Sequence, residues 1–224
     1  MQRLGVLGDV HGDACALERA LASAAGDLDE LVLVGDYIDR GSDSHGVLNL
    51  LIEAQRVWGR RLTLLKGNHE ESLLEFLRGG SVDQFLQGGG LATVASYLPN
   101  DFDGPNPMEE FRSSFPFEHL ALLESLEVYY ETEDLVISHA GIDPADPLSR
   151  TSQSVVLGSH PKLFSGLRFL DKLVVCGHYV QESGSVYSTK HFVCLDSGCG
   201  TDENGTLSML ILPDHSIRAF RGGR

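Results

Sequence analysis

Apolar residues along the chain alternate between short solid runs and longer stretches with helical spacing. Leu4-Gly5-Val6-Leu7, Leu31-Val32-Leu33-Val34 and Arg61-Leu62-Thr63-Leu64-Leu65 are too short for helices and read as buried strands. A helix is predicted after each. The first runs from Ala14 to Ala25, with Asp13 as cap, Ala14, Leu17, Leu21 and Ala25 on its apolar face, and Gly26 as its stop. The second starts with Ser42, Asp43 or Ser44 as cap and passes through Leu48, Leu51 and Ile52 to about Trp58, a core residue. The third carries Leu73, Leu74 and Leu77 and ends at Gly79-Gly80.

From Ser81 to Pro116 the pattern breaks into short helical pieces punctuated by Gly88-Gly89-Gly90, Pro99, Pro105 and Pro107. This reads as a helical insertion at about 81–116 within a single domain spanning 1–224. The glycine triplet lacks the spacing and the preceding strand of a dinucleotide loop. A helix through Leu120, Leu123 and Leu126 leads to Leu135-Val136-Ile137, and the stretch from Ile142 to Leu163 is irregular. Leu173-Val174-Val175-Cys176 is a further strand. The Phe192–Gly198 and Leu207–Leu212 segments, with Ile217–Phe220, read as closing strands of a second sheet.

Five of these runs end alike. Right after each comes a side chain able to bind metal or move a proton: Asp9 and His11, Asp36, Asn68 and His69, His139, His178. Glycine adjoins most of them, at Gly8, Gly35, Gly67 and Gly177, where it lets the backbone turn sharply and approach a ligand. Open α/β sheets bind ligands at the carboxyl ends of their strands. Gly35-Asp36-Tyr37-Ile38-Asp39-Arg40-Gly41 is the richest exit. It is either a solvated turn with a local Asp–Arg pair or a centre in which Asp36 binds metal and Arg40 grips a phosphate. Five exits converging on one edge favour the second. Carboxylate with imidazole suits manganese, iron, zinc or nickel. Asp36 is the natural bridge between two cations, and a two-cation site can clamp both oxygens of an in-line displacement.

The charge balance narrows the partners. With 32 Asp and Glu against 17 Lys and Arg, the net charge is −15. General nucleic-acid binding needs clustered Lys and Arg, and an anionic membrane repels such a surface. Cys15, Cys176, Cys194 and Cys199 form no C-x-x-C pair and read as small buried hydrophobes in a reducing compartment, with a Cys194–Cys199 disulfide the less favoured alternative. No apolar run reaches the roughly 18 residues of a membrane helix, and Met1-Gln2-Arg3 leads straight into a strand-like segment. The expectation is a soluble cytoplasmic protein.

Gly8-Asp9-Val10-His11-Gly12, Gly35-Asp36-Tyr37-Ile38-Asp39-Arg40-Gly41 and Gly67-Asn68-His69-Glu70 together resemble the three motifs of the phosphoprotein phosphatase family, part of the calcineurin-like metallophosphoesterases. His139 in Ser-His-Ala-Gly and His178 in Cys-Gly-His resemble its two later metal histidines, and Leu195-Asp196-Ser197-Gly198 its closing strand. Order and spacing resemble the short bacterial and phage branch. The resemblance implies an α/β fold of two packed β-sheets flanked by helices. It implies one divalent cation on Asp9, His11 and Asp36, and a second on Asp36, Asn68, His139 and His178, with manganese first choice and iron, zinc, nickel or magnesium as alternatives. It implies His69 as general acid, Asp39 as its orienting carboxylate and Arg40 as phosphoryl ligand. The implied reaction is direct attack of a metal-bridging hydroxide on phosphorus without a phosphoenzyme, on a phosphorylated protein or small phosphoester.

The family usually places a second arginine between the late histidines. Here that stretch reads Val156-Leu157-Gly158-Ser159-His160-Pro161, so His160 becomes a candidate substrate contact, with Arg150 or Arg168 as nearby replacements. Serine/threonine-type phosphatase activity leads. Dinucleoside polyphosphate hydrolysis, as in diadenosine tetraphosphatases, is the alternative, weakened because those enzymes tend to show Gly-Asn-His-Asp where this chain has Glu70. A non-catalytic metal-binding scaffold is a third reading, disfavoured because His69, Asp39 and Arg40 are not needed to hold metal.

Overall fold

The computed structural model describes residues 2–142, 171–181 and 184–223. Strand β1 (Leu4–Leu7), helix α1 (Ala14–Ala24), β2 (Glu30–Leu33), α2 (Ser44–Trp58), β3 (Leu62–Leu64) and α3 (Asn68–Leu77) form the first half. Three short helices follow: α4 (Val82–Gln87), α5 (Gly90–Tyr97) and α6 (Pro107–Ser114). Then come α7 (Phe117–Glu124), β4 (Tyr129–Glu131), β5 (Leu135–Ser138), β6 (Leu173–Cys176), β7 (Tyr187–Ser188), β8 (Phe192–Cys194), β9 (Asp196–Ser197), β10 (Thr206–Leu212) and β11 (Ser216–Phe220).

Two sheets result. One has the order β11-β10-β1-β2-β3, with β9 also on β10; the other has the order β4-β5-β6-β8-β7. The solid apolar runs are explained by burial on both faces. Val6, Val32 and Val34 of the first sheet meet Leu135, Ile137, Val175 and Val193 of the second between the sheets. Leu7, Leu31 and Leu33 point the other way, into a core with α1, α2 and α3. On the second sheet Val136, Val174 and Cys176 occupy the opposite face. The strands β1, β2 and β3 are parallel, as are β5, β6 and β8. The five exits that carry the candidate residues follow β1, β2, β3, β5 and β6.

Two expectations are corrected. The Leu207–Leu212 and Ile217–Phe220 segments close the first sheet, not the second: β10 pairs antiparallel with β1, Leu4 opposite Leu212, and β11 pairs with β10. An apolar run carries no label for its ladder partner, and β9 with β10 turns the chain back to β1. Cys15 is exposed, whereas the other three cysteines are buried, and none of the four forms a disulfide. The buried face of α1 is Ala16, Leu17, Ala20 and Ala24, turned slightly from the predicted stripe, and Cys15 falls outside it.

Asp13 caps α1 by accepting from Ala16 N, and Asp43 caps α2 by accepting from Gly46 N. Among the described residues no helix is long and apolar enough to cross a membrane.

Candidate metal centre

The loops after the strands carry an unusual backbone. His11, Asp36, Asp39, Arg40 and His178 all have positive φ, from 42° to 71°. A non-glycine residue held there costs of order 1–3 kcal/mol, so surrounding contacts must impose it. The contacts are present. Asp36 O accepts the N–H groups of Val10 and His11, both at 3.0 Å, tying the β1 exit to the β2 exit. Gly12 N donates to Tyr37 O at 2.9 Å, and Tyr179 N donates to Gly177 O at 2.7 Å across His178. Two glycines let these loops touch. A Cβ at Gly67 would lie 2.1 Å from Asp36 Oδ1, and one at Gly177 would lie 1.8 Å from Asp9 Oδ1.

Asn68 and His69 lie in the first turn of α3 rather than in a loop, and His69 N donates to Asp36 Oδ1 at 3.1 Å. Glu70 is fully buried beside them. One of its oxygens accepts from Gly67 N and Asp36 N, both at 2.9 Å, and the other from Tyr37 N at 2.8 Å and Ile38 N at 3.4 Å. Burial first, then the charge of Asp36, pushes the Glu70 carboxyl up to about 7. All four of its partners are donors, so the loop is built around the carboxylate form.

The inward-facing atoms are mostly acceptors. His11 Nδ1 faces Ile38 O at 3.0 Å and His139 Nδ1 faces Val34 O at 3.1 Å. A carbonyl only accepts, so both Nδ1 atoms carry hydrogen and both Nε2 atoms face the site. Asp36 Oδ2 lies 3.3 Å from His139 Nε2 and 3.7 Å from His11 Nε2. Asn68 Oδ1 lies 3.0 Å from His139 Nε2 and 2.9 Å from His178 Nδ1. The ligand atoms of Asp36, His139 and His178 lie within 4.8 Å of one another, as do those of His11, Asp36 and His69.

Asp9 stands slightly apart: both its oxygens face the N–H of His178, at 3.2 and 3.0 Å. Burial, then Asp196 and Asp36, raises its pKa well above the ordinary carboxylate value. Asp196 is itself buried, and its Oδ2 has no hydrogen-bond partner among the described residues. Three buried carboxylates, one with an orphaned oxygen, stand together with the Asn68 carbonyl, a concentration of acceptors that a cation would offset. The residues therefore fit divalent cations, with nitrogen and oxygen donors of the kind first-row metals take.

Beside this acceptor cluster is a second group. His69 Nδ1 and Asp39 Oδ2 are 2.7 Å apart, both buried. Burial disfavours the imidazolium of His69, but Asp36 and Asp39 outweigh it and its pKa lies above the ordinary value, with Arg40 opposing. The Arg40 guanidinium donates to His11 Nε2 at 3.0 Å and to His69 Nε2 at 3.1 Å. Nε2 cannot hold a proton and accept from Arg40 at once, so this is the deprotonated arrangement of His69. Arg40 N donates to Gly89 O at 3.3 Å.

All nine residues proposed for the metals and the chemistry that lie within the described residues come to this one place. His160 and Arg168, with Arg150, lie outside the described residues. Sequence reasoning gave Glu70 only a role as a weak substrate marker. Its position three residues after Gly67, at the head of a helix, matches a capping pattern that identifies it as a holder of backbone N–H groups.

The sequence pattern of calcineurin-like phosphoesterases matches residues 2–212. The chain belongs to that family. Among curated relatives, serine/threonine-protein phosphatase 2 of Escherichia coli (strain K12) is 38% identical over 91 residues, which is 40% of this chain and 39% of the relative. Serine/threonine-protein phosphatase 1 of Salmonella typhimurium (strain LT2) is 40% identical over 87 residues, 38% of each. The matched stretches thus span well under half of either relative. A crystal structure described as that of a candidate diadenosine tetraphosphatase superposes with a TM-score of 0.70 at 22% identity, covering 100% of this chain and 95% of that one. At that identity the likeness concerns the fold, which this calcineurin-like phosphoesterase shares.

Proposed function

We propose that this calcineurin-like phosphoesterase is a metal-dependent phosphomonoesterase acting on phosphorylated serine or threonine side chains. The observation that carries the reading is the placement of the Asp39–His69 pair and Arg40 at the rim of the acceptor cluster. A metal store needs neither. Asp9, His11 and Asp36 would hold one divalent cation, and Asp36, Asn68, His139 and His178 the other. When bound, such cations supply Lewis-acid polarisation of a phosphoryl group and a nucleophile at neutral pH.

The chain's own residues supply the rest. Arg40 offers a planar fork of N–H donors to the non-bridging phosphoryl oxygens, the geometry guanidinium groups match best. With Arg40 turned from His69 to the phosphoryl oxygens, His69 would take a proton on Nε2, the atom that faces the cluster, and give it to the leaving alkoxide of serine or threonine. Asp39 keeps the other nitrogen, Nδ1, protonated and stabilises the imidazolium. Alkoxides leave poorly, so this proton matters more for a phosphoserine than for an acidic phenol. Glu70 and the paired N–H contacts on Asp36 O keep the loops in their strained conformation before substrate arrives.

The experiment is a rate comparison on phosphoserine, phosphothreonine and phosphotyrosine peptides and on diadenosine tetraphosphate, repeated with manganese, iron, zinc, nickel and magnesium. The reading predicts fastest turnover on the phosphoserine or phosphothreonine peptide. Fastest turnover of diadenosine tetraphosphate would replace it with the polyphosphate hydrolase.

A further inference from the structure

Asp39 has two carboxylate oxygens, and each has its own donor. Oδ2 faces His69 Nδ1 at 2.7 Å. Oδ1 is taken by the hydroxyl of Thr93, at 2.5 Å. Thr93 lies in α5, 54 residues further along the chain, and is fully buried. The same hydroxyl oxygen accepts the backbone N–H of Asp39 at 2.9 Å and stands 3.0 Å from the Ser44 hydroxyl.

A threonine hydroxyl has one proton and two lone pairs. Its proton goes to the ionised Oδ1, so its lone pairs take the Asp39 N–H and the Ser44 O–H. Ser44 Oγ in turn accepts from Asp39 N at 3.1 Å. The hydroxyl therefore has no spare orientation. It grips Asp39 by main chain and side chain together, at a residue whose φ is 71°. With Oδ1 occupied, Oδ2 is the oxygen presented to the imidazole, and the carboxylate plane cannot swing away from it.

The neighbouring turn acts on the same residues. A Cβ at Gly88 would lie 3.5 Å from the His69 ring, and one at Gly89, whose φ is 98°, would lie 3.0 Å from Arg40 Cγ. The α4–α5 segment thus backs His69, Arg40 and Asp39 together.

We propose that Thr93 is a positioning residue for proton donation: its hydroxyl fixes the Asp39 carboxylate, and through it the ring orientation and proton placement of His69. The helical segment between α3 and α7 is on this account part of the reaction machinery and not only a wall of the substrate groove. The inference rests on the proposed role of His69 as proton donor, and the test separates the two.

Thr93→Val keeps the branched shape and removes the hydroxyl; Thr93→Ser keeps the hydroxyl. Both are compared with His69→Asn in the metal-loaded enzyme, on a phosphoserine peptide and on p-nitrophenyl phosphate. A positioned acid supplies about 10²–10⁴-fold when the leaving group needs a proton and little when it does not. Thr93→Val is expected to lose at least about tenfold in kcat on the peptide and under about threefold on p-nitrophenyl phosphate. Thr93→Ser restores peptide turnover, and adding Thr93→Val to His69→Asn costs nothing further on the peptide. Equal losses on both substrates, no loss at all, or a full additional loss in the double variant would overturn the role of Thr93 while leaving that of His69 standing. A His69→Asn variant with equal losses on both substrates would instead overturn the donor role of His69, and the inference with it. Should Thr93→Val fail the check of an unchanged circular dichroism spectrum and melting curve, Thr93→Ala carries the same comparison.

Discussion

The Glu70 carboxylate accepts the backbone N–H of Asp36 at 2.9 Å from the first turn of α3. Asp36 is the residue on which both proposed cation sites converge, and its φ of 52° lies in the left-handed region, uncommon for a non-glycine residue. Glu70 holds it, together with Tyr37 and Gly67, so one side chain sets the relation between the β2 and β3 exits. Removing its charge should act on the fold and on metal binding at once. Glu70→Gln turns an N–H₂ group toward backbone N–H donors. Urea denaturation should show a loss of about 1–3 kcal/mol, and calorimetric titration should show weaker manganese binding.

Arg40 donates to both His11 and His69. Arg40→Ala should raise KM and lower kcat together, with kcat/KM falling by about 10²-fold or more, the scale of removing a donor from a developing oxyanion. Unchanged steady-state constants would remove its phosphoryl role.

The segment that carries Thr93 is anchored by aromatic packing. Phe76, Phe85 and Phe111 are buried and nearly parallel, with Phe76 and Phe85 centroids 4.8 Å apart and Phe111 6.2 Å from Phe76. Tyr97 of α5 meets Phe111 edge-on at 5.2 Å. Phe111→Ala should cost about 3–5 kcal/mol in urea denaturation, from lost burial and the cavity left behind.

His119 gives a pH dependence away from the metal centre. Tyr97 Oη donates to its Nδ1 at 2.7 Å, and its Nε2 donates to Asn49 Oδ1 at 3.1 Å, which only the neutral ring can do. Burial first, then His45, lowers its pKa from 6.5 to about 4. A lowered histidine pKa means the fold prefers the neutral ring, so its contribution is complete above pH 6.5 and is lost as pH falls toward about 4. The urea midpoint of the wild type should fall over that window, and that of His119→Gln should fall less. Parallel curves would contradict the assignment.

How much of this was legible in the sequence follows from where the information sits. Each metal-competent side chain lies within a few residues of its own strand, so Asp9, His11, Asp36, Asn68, His139 and His178 announce themselves locally. Thr93 is 54 residues from Asp39 and sits on a helix whose apolar pattern says nothing of its hydroxyl. The sheet that β10 and β11 join depends on pairing with β1, a long-range choice that apolar content does not encode. Cys15 looked buried because cysteine usually is; the α1 face turned it outward.

The acceptor cluster around Asp36 is, on the function proposed above, a cation-dependent phosphoester-hydrolysing centre. The most direct measurement is hydrolysis of p-nitrophenyl phosphate by the wild-type protein after exhaustive chelation and dialysis, and again after manganese is restored, with Asp36→Asn in parallel. The account predicts a silent chelated protein, activity regained on adding manganese, and little regained by Asp36→Asn. Full activity in the chelated protein would contradict it.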